Sequence, residues 1–80
     1  MKIVTVDKDL RTVVLDLDTR FYPMDAVMQA SQAYLETCWV YVDGDAEGLV
    51  RVTLTPRSKK IRINQLGYEF LNYVLSVMKA

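Results

Sequence analysis

The sequence predicts an α+β domain of order ββαββα, with two hairpins joined in one four-stranded antiparallel sheet and two helices packed on one face. Three observations predict this. Four short segments alternate apolar and polar residues, the period of half-buried strands. The segments fall into two pairs, each separated by a few polar or glycine-rich residues, as in hairpins. Two longer segments instead confine their polar residues to narrow helical arcs. Eighty residues make a single domain, 1–80. Its core is modest, because a chain this short buries only about 60% of its unfolded surface.

The elements follow in order. Lys2 to Val6 alternates weakly and reads as a short strand, closed by the polar turn Asp7-Lys8-Asp9. Arg11 to Asp18 reads as a second strand, with Val13, Leu15 and Leu17 on one face and Thr12, Val14, Asp16 and Asp18 on the other. A helix is expected from about Pro23 to Thr37. Proline suits a first helical position, and Asp25 in the first turn suits the helix dipole. Phe21 or Tyr22 is placed to pack back on the first turns as a staple. Cys38 to Asp43 is the third strand, with Cys38, Val40 and Val42 on one face and Trp39 and Tyr41 on the other. "DGDAEG" (Asp43 to Gly48) is a turn, rich in residues that accept positive φ. Leu49 to Thr55 is the fourth strand and Pro56 ends it, because proline cannot donate to a ladder. "RSKK" is a basic loop, and Ile61 to Ile63 reads as loop or a short extension of sheet. The last helix is expected from about Asn64, as N-cap, to Met78.

The helices carry the most information about function. In the first, Asp25, Gln29, Gln32 and Glu36 fall within an arc of roughly 60°. In the second, Gln65, Glu69, Asn72, Ser76 and Lys79 fall within roughly 80°. Nearly everything else on them is apolar or aromatic, whereas covering a sheet needs a stripe only somewhat over 100° wide. Two readings stand side by side. Either the surplus wraps a small core, or it covers an interface with a second copy or a protein or peptide partner. The candidate contact residues of such an interface are Met28, Tyr34, Leu35, Tyr73 and Val77.

Chemistry leaves few traces. The chain has no histidine, the usual general base and a common zinc ligand. Its three glycines do not form a phosphate loop. Asp43, Asp45 and Glu47 lack the bidentate acid that a calcium loop requires, so they read as a solvated turn. Asp16 and Asp18 share a strand face but have no third ligand or base nearby in sequence, so they read as an exposed strand edge. Cys38, the only cysteine, lies on an apolar face and reads as a buried inert thiol. The expectation is therefore no catalytic residue, no metal site, no cofactor and no enzyme. A second binding class comes from Trp39, Tyr41 and Arg51 on the open sheet face with Arg57, Lys59 and Lys60 of the basic loop. Aromatics beside cations on a sheet are one way to bind single-stranded RNA. The zero net charge argues against it, and the RNP-type aromatic motif is missing; the competing reading is cross-strand packing of the aromatics beside a solvated loop. The N-terminal stretch has no apolar h-region and no run approaches about 18 apolar residues, so the expectation is a cytoplasmic protein that does not cross a membrane.

The stretch "LDLDTRFYPMDAVMQASQAYLETCWVYVD" resembles the HxsD family, small proteins of the His-Xaa-Ser peptide-modification system. The likeness is carried by an acidic strand end, then Tyr22, Pro23, Met24, Asp25 and Ala26, an Ala-rich helix with Tyr34, and a strand containing Tyr41 and Val42. "VRVTLTPRSKK" resembles the family's second hairpin strand, and "GYEFLNYVL" its Glu-Phe-x-Asn helix through Glu69, Phe70 and Asn72. After Asn72 this chain has Tyr73, Val74 and Leu75, where the family is more acidic and polar. What the resemblance implies is a non-catalytic accessory protein working beside radical-SAM maturation enzymes that modify a repeat-bearing peptide. By similarity its partner is the maturase or that peptide.

Overall fold

The computed structural model describes residues 3–79. Its elements are β1 (Val4–Asp7), β2 (Thr12–Asp18), α1 (Met24–Ala33), β3 (Cys38–Gly44), β4 (Leu49–Pro56) and α2 (Ile63–Lys79). The order is ββαββα, and the four strands form one antiparallel sheet in the order β1-β2-β4-β3. The two hairpins join through β2 and β4, with Leu15 opposite Val52. Lys2, expected in the first strand, lies outside the described residues.

The alternation in sequence becomes the two faces of the sheet. Val13, Leu15 and Leu17 of β2 and Val50, Val52 and Leu54 of β4 are buried on one face together with Cys38. Ala26, Val27 and Ala30 of α1 and Leu66, Phe70 and Val74 of α2 close over them. Burial of these aliphatic side chains at about 25 cal/mol per Å² is the main force holding the layers together. Gly67 lets α2 approach β1 closely, since a Cβ there would run into Val4 Cγ1 and meet Val13 Cγ1 at 2.9 Å. Tyr22 packs against the core from the α1 entry, whereas Phe21 projects outward.

Turns close as their polar residues require. Asp7 Oδ1 accepts from the N–H groups of Asp9 and Leu10 at 3.0 Å, and Arg11 takes a left-handed φ of 51° to enter β2. Its guanidinium donates to the carbonyls of Ser58 and Ile61, tying the basic loop down. Gly44 has φ +121°, a conformation that side chains rarely adopt, and a Cβ there would strike the Leu49 carbonyl. Asp45 Oδ1 accepts from Glu47 N–H at 2.9 Å and completes the β3–β4 turn.

Three local expectations are corrected. Helix α1 ends at Ala33, with Tyr34 as its C-cap, rather than at Thr37. The last turn tightens, with Tyr34 N–H reaching the Ser31 carbonyl and Leu35 N–H the Gln32 carbonyl, so that Cys38 can enter β3. Pro23 is the N-cap, with ψ 142°, and not the first helical residue. Asn64 lies inside the first turn of α2, and the Arg62 carbonyl accepts the first N–H groups, from Gln65 and Leu66.

Candidate functional site

Three surfaces surround this core. The first is the outside of the helix layer. Tyr34 sits at the seam between the helices, edge-on to Phe70 with ring centroids 5.2 Å apart and to Tyr73 at 6.0 Å. Burial, reinforced by the nearby Glu69 carboxylate, raises its phenol above the ordinary tyrosine range. Tyr34 thus anchors the helix pair and exposes only part of its ring. Val77 is likewise half-buried against the core. Met28, Leu35 and Tyr73 are exposed. The more open flank of α2 lies outside those five candidates. Tyr68, Leu75 and Met78 are exposed there, and Leu71 half-buried, at the 3–4 residue spacing of a stripe. The narrow polar arc of α2 measures the width of its apolar surface, but only the docking of α2 on β1 shows which flank stays uncovered.

The second surface is the open face of the sheet. Trp39 and Tyr41 are 61% and 65% exposed, opposite Thr55 and Thr53 of β4. The Arg57 guanidinium lies 3.8 Å from the centre of the Trp39 ring, a cation–π contact. Arg51 is also on this face, but its Nε donates to Asp16 Oδ1 at 2.8 Å. Asp18 pairs with Arg20 at 2.7 Å. Strand β2 is central, so Asp16 and Asp18 are not on a sheet edge, and each carboxylate has its own arginine. Lys59 and Lys60 do not join the sheet aromatics. They line a separate concavity with Arg11 and Arg62 at the start of α2.

The third surface is the outer edge of β3, beside a shallow groove lined by Met28, Ser31, Gln32, Leu35, Val40 and Val42. Cys38, the first residue of β3, is fully buried, with Thr37 Oγ1 donating to its sulfur at 3.7 Å. Burial pushes this thiol up, away from the thiolate a nucleophile needs.

Among the described residues no group of three or more His, Cys, Asp or Glu side chains is placed to hold a metal ion. No described helix is long and apolar enough to cross a membrane. No family model, curated protein or solved structure matches the chain.

Proposed function

We propose that this chain is a non-catalytic accessory protein that binds a protein or peptide partner. Following its resemblance to the HxsD family, the partner is a radical-SAM maturase or the repeat-bearing peptide that such an enzyme modifies. The observation that supports the reading is the exposed apolar surface of the helix layer. The core is complete with Leu66, Phe70 and Val74 from α2, yet Tyr68, Tyr73, Leu75 and Met78 remain exposed on the same helix. Such a flank suits a partner surface of complementary shape.

The test is a titration of the purified chain with a His-Xaa-Ser maturase and, separately, with its repeat peptide. Saturable binding to one of them is expected, weakened by Leu75→Glu and Met78→Glu. No binding in either titration would remove the accessory reading.

A second reading has its own observation. The Arg57–Trp39 stack and the neighbouring Tyr41 present an aromatic and a cation to the same solvent region. Single-stranded RNA bound there would be released by salt. Failure of Trp39→Ala to change RNA binding at low salt would end this reading.

A further inference from the structure

The β3 edge has features of a surface made to be paired. Among the described strands only β4 adjoins it. The direction of its main-chain groups follows from the ends of the β3–β4 ladder. Arg57 N–H donates to the Thr37 carbonyl, and Asp45 N–H donates to the Leu49 carbonyl. Both bonds extend the register that pairs Trp39 with Thr55, Tyr41 with Thr53 and Asp43 with Arg51. Hydrogen-bonded and non-bonded pairs alternate in an antiparallel ladder. Trp39, Tyr41 and Asp43 therefore bond to β4, while the N–H and C=O groups of Val40 and Val42 face outward. The ends of the edge are occupied differently. Cys38 N–H donates to the Tyr34 carbonyl at 2.8 Å, and Gly44 N–H to Asp43 Oδ1 at 2.9 Å.

We infer that β3 pairs antiparallel with β3 of a second copy of this chain, about a two-fold axis at Tyr41, making one continuous sheet from two. In this register Val40 of each copy faces Val42 of the other. The ladder uses the free groups of these two valines and needs neither the Cys38 nor the Gly44 N–H. Shifting the axis to Val40 would set Cys38 opposite Val42, and the Cys38 N–H is already taken.

Charge supports a second copy as the occupant. Pairing about Tyr41 sets Trp39, with Arg57 stacked on it, against Asp43 of the other copy, and the symmetry repeats the contact. The chain carries no net charge to oppose self-association. On the helix side, the groove of Met28, Ser31, Gln32, Leu35, Val40 and Val42 is brought against its own symmetry mate. The strand also lacks the usual guards of a free edge. "CWVYVDG" contains no lysine or proline and has one charged residue, near its end. The inference is independent of the accessory reading, since the α2 flank is not used.

Sedimentation equilibrium of the full chain tests it. A species of twice the 9.2 kDa chain mass is expected at micromolar concentration. Val42→Pro removes an outward N–H at an edge position that tolerates proline. It should raise the dimer Kd roughly tenfold or more, since two ladder bonds are lost per dimer. Tyr41→Cys places two thiols at a non-bonded pair, where Cα atoms lie about 4.5 Å apart and a disulfide can close. Oxidation should link this variant into dimers, whereas Thr5→Cys on β1 should stay unlinked. If Val42→Pro unfolds by circular dichroism, the cysteine pair decides. A wild-type chain that stays monomeric, or a folded Tyr41→Cys chain that links no better than Thr5→Cys, would overturn the inference.

Discussion

The two faces of this sheet are built from the same strands and alternate residue by residue, yet they are different materials. The covered face is aliphatic and closed: Leu15, Leu17, Val52 and Leu54 are 0% exposed. The open face is a mosaic of threonines, ion pairs and two exposed aromatics, with Asp16 bound to Arg51 and Trp39 under Arg57. Stability resides on the covered face, where removing a side chain leaves a cavity that close-packed neighbours cannot fill. The open face holds groups whose loss water can repair, and it is therefore free to serve recognition.

The largest expected effect tests the covered face directly. Phe70 is the largest fully buried side chain and meets Tyr34 edge-on. Phe70→Ala should cost about 3–5 kcal/mol in denaturant unfolding. A loss under about 1 kcal/mol would show that the helix layer is not tightly packed on the sheet. Gly67→Ala comes next. The added methyl has no room beside Val4 and Val13, and overpacking of this kind costs about 1–3 kcal/mol. Alanine's better helix propensity, about 1 kcal/mol, offsets part of that. A gain in melting temperature would mean that β1 yields readily.

Trp39→Ala probes the open face. It should change stability by under about 1 kcal/mol, the scale of an exposed cation–π contact. A cost as large as that of Phe70→Ala would erase the contrast between the faces. The smallest effect is electrostatic. The Arg20 side chain, then its backbone N–H, holds the Asp18 carboxyl below the ordinary range. A depressed carboxylate stabilises the fold above its unfolded pKa, and that contribution is lost as pH falls through the folded value. Arg20→Ala should therefore lower the melting temperature slightly above about pH 5 and leave it nearly unchanged near pH 2, where Asp18 is protonated in both chains, so the decline between them flattens. An equal shift at every pH would point to packing by the arginine stem instead.

Much of this was legible in the residues. Val13, Leu15 and Leu17, and Val50, Val52 and Leu54, declare the buried face through a period of two, and all are buried. The hairpins follow from the short polar spacers between the strands. The end of α1 was not legible, because Leu35, Glu36 and Thr37 continue a helical pattern, and only the demand that Cys38 enter a strand stops it. The position of Asp16 and Asp18 was hidden for a similar reason. Alternation assigns a residue to a face, but not its strand to the middle or edge of a sheet. Of the interface candidates, Met28, Leu35 and Tyr73 are exposed, while Tyr34 and Val77 pack against the core. The exposed Tyr68, Leu75 and Met78 lie on a flank revealed only by the docking of α2.

The pairing of β2 with β4 has a kinetic consequence. Each hairpin closes between near neighbours in the chain, such as Asp7 with Thr12 and Gly44 with Val50. The central seam instead joins Asp16 to Arg51 across 35 positions, with α1 and β3 between them. Closing so long a loop must be met in entropy before its contacts return any stability. The rate of folding should therefore follow residues at the seam, such as Leu15 and Val52. Changes in either hairpin turn should act mainly on the rate of unfolding.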